Sequence, residues 1–467
     1  MEERYIACID PGTSKIALTV AKVDRDDIQV LYYKETPSDG IRYSCIFNPG
    51  RAAGPIGKAI KDAEEELKIK ILQVVVGLPR YEVHQEKAPG SLERTDPGSC
   101  ISQEEVDTLK ELAMEAYPLA DQTTEKVFGA VAQSFSTDDL IRMPERDIVG
   151  AISSSLEGNF TIFIGRKSDV NNLEMVFQKL GIAIAETFFV PDVTADAVLT
   201  REEMDNGVAL IDLGAGASSV TIFQNGIMRH YGSIPFGAGN ITSDIRFECA
   251  FTEQLAENIK LGFGACLPEK LQSLSDKTLQ ISDPDDGTSQ NLSVKYLSEI
   301  ITARQKEIFE AMLFEIGRSG YSTRLRSGIV LTGGGAQLVN CGNLLKSMSG
   351  YNVRIAYPQH RHFNAAQCPE IMDTSATASV GMLLRAAKLP YLNCVESPEG
   401  EVEIENPAQE TAPGQPYDGT VFEDHDKTVE SEKKPKKPTR RTGKVTFGRS
   451  LMQKLGDVVG NLYDGMQ

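Results

Sequence analysis

Tyr5-Ile6-Ala7-Cys8-Ile9-Asp10-Pro11-Gly12-Thr13-Ser14 and Val208-Ala209-Leu210-Ile211-Asp212-Leu213-Gly214-Ala215-Gly216 are the two stretches that decide the fold. In each, an apolar run (Tyr5–Ile9, Val208–Ile211) enters an Asp-x-Gly turn, and a β-patterned segment (Lys15–Lys22, Ser218–Phe223) leaves it. Each return segment closes on a turn signal, Asp24-Arg25-Asp26-Asp27 and Asn225-Gly226, the second a strong hairpin dipeptide. A strand, a tight turn and a return strand thus occur twice. The duplication predicts two similar half-domains facing each other across a cleft.

The chemistry of that cleft follows from the turn residues. Glycine lets backbone N–H groups approach a phosphate, and successive N–H groups form an anion-binding nest. Thr13 and Ser14 add hydroxyl donors, and Lys15 adds a charge. A carboxylate does not bind phosphate, but Asp10 and Asp212 facing one polyphosphate can hold Mg²⁺ through waters, because Mg²⁺ keeps much of its hydration shell. A single Asp-x-Gly is most often an ordinary turn. Two of them, each directly after a buried-type strand, point to a nucleotide. A third element agrees: the strand Gly328–Thr332 runs into Gly333-Gly334-Gly335 and then a helical pattern, which lets a flat ligand or a phosphate lie against bare backbone. A flexible loop is the competing reading there.

Length and composition narrow the field. The 467 residues suffice for two or more domains with real cores, and 41% of them are apolar. A net charge of −18 argues against a general nucleic-acid binder. Eight scattered cysteines without a Cys-x-x-Cys pair fit reduced thiols rather than a zinc or disulfide framework. Met1-Glu2-Glu3-Arg4 enters a strand at once, with no signal-peptide pattern, and no apolar stretch reaches the ~20 residues that span a bilayer. Neither a Gly-x-x-x-x-Gly-Lys-Ser/Thr loop nor a Gly-x-Gly-x-x-Gly fingerprint is present.

Along the chain, residues 1–77 read as hairpin strands, a helix near Ile56–Leu67 and the strand Ile71–Val76. Residues 78–164 read as an inserted module: turn-rich from Pro79 to Gly98, a helix near Gln103–Ala116, then strands near Ile148–Ser153 and Asn159–Ile164. Residues 165–206 return to the first core through the helix Lys167–Leu180, the segment Ile182–Val190 and a helical stretch near Asp192–Arg201. Residues 207–370 carry the second hairpin, a largely helical part over 240–325, the strand Gly328–Thr332, a helix near Gln337–Met348 and the strand Val353–Ile355. Residues 371–390 hold a helix rich in small residues, Ser375–Ala387.

Residues 391–444 form a linker, first acidic and rich in Pro and Gly, then basic, whose composition does not bury a core. Nine Lys/Arg (433, 434, 436, 437, 440, 441, 444, 449, 454) and no acid fall within residues 433–454. Over 445–467, Leu451, Met452, Leu455, Val458, Val459, Leu462, Tyr463 and Met466 fall within an arc of about 140° at 100° per residue. This helix has three possible seats: its own core, a partner's groove or an anionic membrane. The membrane fits best, with the apolar face in the acyl boundary and the basic cluster on the headgroups at about 1 kcal/mol per residue.

These residues carry a resemblance to the actin-like ATPase superfamily and, within it, to the FtsA family of bacterial cell division, over nearly all of residues 4–390. Asp10–Lys15 resembles the first phosphate motif, Asp212–Ser218 the second and Ile329–Gly335 the adenosine motif. The resemblance implies an α/β, actin-like (ribonuclease H-like) two-domain ATPase fold with duplicated sheet halves and an inserted subdomain at 78–164. It places Gly12, Thr13, Ser14, Lys15, Gly214, Ala215, Gly216, Ser218, Gly333, Gly334 and Gly335 around ATP. Glu257 and Lys260 of Ala256-Glu257-x-x-Lys260 fall at sugar and adenine, Asp10 and Asp212 at Mg²⁺ and catalysis, and Asp196 at a water-positioning place. Further implications are slow ATP hydrolysis, head-to-tail polymers, and a peripheral seat on the cytoplasmic side of the inner membrane at the division septum. The partners implied are the FtsZ C-terminal peptide and later division proteins. The second phosphate loop departs from the family's Gly-Gly-Gly-Thr-Thr-Asp pattern, reading Gly214-Ala215-Gly216-Ala217-Ser218-Ser219, so a hydroxyl and a carboxylate are missing. A pilus-assembly ATPase of the same fold and a soluble kinase of the superfamily are the alternatives; the first does not usually carry such a basic C-terminal helix, and the helix has no obvious use in the second.

Overall fold

The structure, a computed structural model, describes residues 3–25, 27–274, 276–282 and 289–396. The described residues of 1–281 and 290–396 form one compact unit. Of the linker expected at 391–444, the first residues pack on the core, with Leu392, Cys394 and Val395 buried and the Cys394 N–H donating to the Tyr5 carbonyl at 2.7 Å; the rest of it and the amphipathic segment with Leu451, Met452, Leu455, Val458, Val459, Leu462 and Tyr463 lie outside the described residues.

The chain opens with three strands in a meander, β1 (Arg4–Pro11), β2 (Lys15–Asp24) and β3 (Asp27–Pro37), followed by a small ribbon, β4 (Ile41–Arg42) and β5 (Cys45–Ile46). Helix α1 (Pro49–Leu67) starts on Asn48, whose side chain accepts from the Arg51 N–H, with proline at the first helical position, where its missing N–H costs nothing. Strand β6 (Gln73–Leu78) then pairs parallel with β1.

Next come β7 (His84–Glu93), α2 (Gln103–Glu115), β8 (Glu125–Ser136), the one-turn α3 (Glu145–Ile148) and β9 (Ser155–Arg166). The three strands form their own antiparallel sheet in the order β7-β9-β8, and α2 packs on it over a separate apolar core that includes Leu109, Phe135 and Phe160. Here the structure differs from the sequence reading. The stretch read as turn-rich is strand β7, an edge strand; an edge tolerates Pro89 and Gly90, and only Ala88 of the strand is buried. Strand β8, absent from the sequence reading, has register shifts at Val127/Gly129 and Ala132/Ser134 that break its alternation. The strand expected near Ile148–Ser153 is replaced by the turn of α3 and the loop after it.

Helix α4 (Lys167–Leu180) ends on Gly181 in the left-handed region (φ 70°), and β10 (Ala183–Phe189) adds to the first sheet, giving β10-β6-β1-β2-β3. After α5 (Val190–Val198) and α6 (Arg201–Asn206) the pattern repeats: β11 (Val208–Leu213), β12 (Ser218–Gln224) and β13 (Ile227–Ile234) form a second meander. Helices α7 (Ala238–Cys249) and α8 (Glu253–Phe263), strands β14 (Thr278–Ser282) and β15 (Ser289–Ser293), and the long α9 (Val294–Arg318) follow. Strand β16 (Ile329–Thr332), helix α10 (Cys341–Ser349) and strand β17 (Val353–Ile355) complete a second sheet, β13-β12-β11-β16-β17. Both sheets are a three-strand antiparallel meander extended by two parallel strands. That identity of order is the duplication, carried by two large apolar cores. Helix α11 (Thr377–Ala387) lies against α5, and its small residues are what permit it: a Cβ on Gly381 would stand 2.2 Å from the Val193 carbonyl oxygen. No described helix is long and apolar enough to cross a membrane.

Candidate nucleotide cleft

Asp10 ends the apolar part of β1 and Asp212 that of β11, each next to a parallel neighbour, so both stand where α/β sheets present ligands, at the carboxyl ends of parallel strands. Their turns are built alike. A Cβ on Gly12 would lie 2.7 Å from the Lys15 carbonyl oxygen, and one on Gly214 would lie 2.5 Å from that of Ala217, so neither turn admits a side chain without moving. The turns meet: a Cβ on Gly216 would fall 2.6 Å from Thr13 Oγ1. The duplicated hairpins therefore face each other directly.

The first turn is held from β3 and the segment after it. Ser38 Oγ donates to the Thr13 carbonyl at 2.8 Å, and the Ser44 N–H donates to Thr13 Oγ1 at 2.9 Å. Ser14 accepts through its carbonyl from Ser38 N–H at 3.1 Å. The Lys15 ammonium pairs with Glu35, which also accepts from Tyr33 OH at 2.6 Å. The second turn is held by a helix start. The Gly214 and Ala215 carbonyls accept from the Ala238 and Gly239 N–H groups at 2.9 and 2.8 Å, and Ser218 Oγ, buried, donates to the Phe236 carbonyl at 2.8 Å.

Glu257 and Lys260 are brought together on α8. Lys260 Nζ reaches Glu257 Oε2 and Thr242 Oγ1, both at 2.8 Å, and the Ala238 carbonyl at 3.0 Å; Thr242 also donates to Glu257. Burial pulls the Lys260 ammonium down from its usual range while Glu257 works to keep it charged. The triple glycine lies near this group: a Cβ on Gly335 would stand 3.4 Å from the Cβ of Ala238, whose carbonyl accepts from Lys260. It is bolted to the start of α11: Gly333 N–H donates to the Thr374 carbonyl at 3.1 Å, and Thr374 Oγ1 donates back to the Gly333 carbonyl at 2.9 Å. Gly334 and Gly335 open a 3-10 turn, Gly334–Gln337, so the helix expected from Gln337 begins later, at Cys341.

Asp196 is engaged elsewhere. Arg385 of α11 donates to Asp196 Oδ2 at 2.9 Å and to Asp192 Oδ2 at 3.2 Å, tying α5 to α11.

Sequence reasoning missed Arg80. Its Nη2 lies 2.9 and 2.8 Å from the two carboxylate oxygens of Asp10, and its Nη1 lies 2.5 Å from Asp212 Oδ2. The guanidinium thus joins the two halves at their acidic turns. Burial opposes its charge, but Asp10 and Asp212 more than offset that and hold it protonated; burial pushes the Asp212 carboxyl up, with Arg80 pulling against it. A signal existed: Leu78-Pro79-Arg80 follows a buried strand parallel to β1, and a cation there meets whatever ends β1.

A duplicated meander-plus-parallel sheet whose two Asp-x-Gly turns face each other defines an actin-like fold. In accord, a chain of the solved PilM-PilN type IV pilus biogenesis complex superposes with a TM-score of 0.51 over 82% of this chain and 98% of that one, at 15% identity. The family model described as "Cell division protein FtsA" matches residues 209–381. FtsA of Neisseria meningitidis serogroup B (strain ATCC BAA-335 / MC58) is 29% identical over 392 residues, 83% of this chain and 91% of that protein. FtsA of Borreliella burgdorferi (strain ATCC 35210 / DSM 4680 / CIP 102532 / B31) is 28% identical over 407 residues, 87% and 96%; FtsA of Bacillus subtilis (strain 168) is 26% identical over 358 residues, 77% and 79%. Over most of its length the chain is similar to FtsA cell-division proteins.

Proposed function

We propose that this chain binds ATP in the cleft between its two halves, turns it over slowly, assembles head to tail and ties FtsZ to the inner face of the cytoplasmic membrane at the division septum. There it would help assemble the Z ring and recruit later division proteins. The observation that carries the reading is the direct facing of the two turns, Gly216 against Thr13, at the carboxyl ends of two sheets of identical strand order. The cradle suits a polyphosphate. Bare glycine backbone lines both turns, Thr13, Ser14 and Ser218 bring hydroxyls, and the Glu257–Lys260 pair and Gly333–Gly335 form a wall suited to sugar and base. The proposed domain limits are those read from the sequence: 1–77 with 165–206, the insert 78–164, 207–370, the connecting helix 371–390, and the tail.

The membrane part of the reading rests on the composition of 445–467, whose apolar face and adjoining basic run suit an anionic bilayer. The FtsZ peptide would dock on the helical part of the second half, within 240–325. The test is co-sedimentation with anionic liposomes, with ATP and FtsZ present, comparing the full chain with one ending at residue 444. The full chain should pellet and carry FtsZ with it, and the shortened chain should do neither while still binding nucleotide. Equal pelleting of the two forms would sink the tether.

As for Mg²⁺, the sequence reading assigns it to Asp10 and Asp212, and the residues do not fit it as they stand. Both carboxylates are committed to Arg80, and a metal on the same oxygens would have to expel the guanidinium.

A further inference from the structure

We propose that Arg80 is the resident cation of this cleft. It stands where Asp10 and Asp212 would otherwise hold a divalent ion, and it lends its remaining N–H donors to the terminal phosphate of the bound nucleotide. The inference rests on the nucleotide reading above and deepens it, by naming what balances charge in that site.

Three observations carry it. The first is the geometry of the guanidinium. Its side chain is 14% exposed, and those of Asp10 and Asp212 are 14% and 12% exposed. Two carboxylates so placed need a counter-charge, because a buried charge left unpaired is strongly destabilising. Arg80 supplies it through three charge-assisted hydrogen bonds. A guanidinium carries five N–H donors in a rigid fork, so some are left for a phosphate, a group it matches in shape.

The second is how Arg80 is held at its base. It follows Pro79, whose ring fixes φ, at the end of β6. Tyr231 OH, from β13 of the other half, donates to the Arg80 carbonyl. Tyr231 is itself fixed: its N–H donates to Gln85 Oε1 at 3.0 Å, and its ring packs edge-on against Phe189 and Phe163, with centroids 5.0 and 6.3 Å away. Strands of the first half, the second half and the inserted module therefore all position this one arginine.

The third is what a metal would need. Mg²⁺ demands oxygen ligands near 2.0–2.1 Å in octahedral array and keeps several waters. The space in front of both carboxylates is taken by nitrogen donors at hydrogen-bonding distance. Among the described residues no group of three or more His, Cys, Asp or Glu offers a denser ligand set. Lys15, the other cation of the turns, is paired with Glu35. Arg80 is thus the positive charge facing both acidic turns.

The consequence is nucleotide binding that depends only weakly on divalent cation. The experiment is calorimetric titration of the full chain with ATP, once in Mg²⁺ and once in EDTA, for wild type, Arg80→Gln and Arg80→Lys. Wild type should bind with affinities within about threefold in the two buffers. Arg80→Gln should lose about 30-fold or more in EDTA and regain about tenfold in Mg²⁺, as the freed carboxylates take the metal; Arg80→Lys should fall between. A parallel titration with Mn²⁺ alone, read by electron paramagnetic resonance, should find a site in Arg80→Gln that wild type lacks. Wild-type binding that collapses in EDTA would overturn the proposal while leaving the nucleotide reading intact. No ATP binding by wild type in either buffer would remove both. Because Arg80→Gln leaves two buried carboxylates facing each other, Arg80→Gln with Asp212→Asn serves if the single variant does not fold, and the wild-type pair of titrations decides the question unaided.

Discussion

The two halves share a strand order and a turn, yet they hold their turns in different ways. The first turn carries hydroxyls and a lysine, and it is fastened by side chains and backbone of the segment after β3, Ser38 and Ser44. The second carries alanines, and it is fastened by its carbonyls to the first N–H groups of α7. The outer strands differ as well. The edge of the first sheet, β3, supplies Glu35 to Lys15, whereas the corresponding edge of the second, β13, is covered by the inserted module. There Gln133 Nε2 donates to the Met228 carbonyl at 2.8 Å, and Gln85 lies 3.0 Å from His230 Nδ1. What duplication preserved is the backbone of the turns; what it let drift is the chemistry around that backbone. If the proposed nucleotide lies between them, side-chain selectivity for phosphate would sit in the first turn, and the second would contribute shape.

That contrast can be broken most sharply where the turns touch. Gly216→Val would drive a branched side chain into Thr13. We expect a loss of about 100-fold in ATP affinity by calorimetry and about 1–3 kcal/mol of stability from overpacking. Unchanged affinity would mean that the nucleotide does not lie between the turns. Next in size is a matched pair, Gly12→Ala and Gly214→Ala. Each places a methyl group against a carbonyl oxygen at nearly the same distance, so each should cost about 1–3 kcal/mol in thermal unfolding. Costs that differ by more than about 1 kcal/mol would show that the two turns are equal in outline only.

How much of this could be read beforehand follows from what is local. The paired turns were legible because Asp-x-Gly between a buried strand and an alternating one is short-range chemistry. Helix α4 was legible because its apolar period and its Gly181 stop agree. The module's strands were not. In β7, Pro89 and Gly90 signal a turn unless an edge position is known, and the register shifts of β8 destroy its alternation. Arg80 was missed for another reason: Leu78-Pro79-Arg80 marks the place, but the role exists only once Asp10 and Asp212, far apart in sequence, are brought together. For Asp196, a helical carboxylate near the end of α5 gives no hint that its partner is Arg385. Turn geometry set by neighbouring residues was readable, and pairings that depend on a distant partner were not.

The smallest expected effect tests the asymmetry of the sheet edges. His230 on β13 lies between Gln85 of the module and α9, where Glu315 stands 4.0 Å from its Nε2 and Arg318 adds a repelling charge. Burial lowers the ring's pKa below its usual range, Glu315 opposes this and Arg318 reinforces it. The fold therefore favours the neutral ring. Its contribution to stability is complete above the ordinary histidine value of about 6.5, and it is lost as pH falls through the lower folded value. Wild type should lose on the order of 0.5 kcal/mol more than His230→Gln between pH 7.5 and 5.5, a small figure because the ring still meets some solvent. Denaturant unfolding at the two pH values measures it. The first sheet has no histidine on β3, so any such slope belongs to the covered edge. If the two proteins lost stability in parallel, the module would rest on β13 through shape and its glutamines alone, and the edges of the two halves would differ in what covers them but not in how they respond to acid.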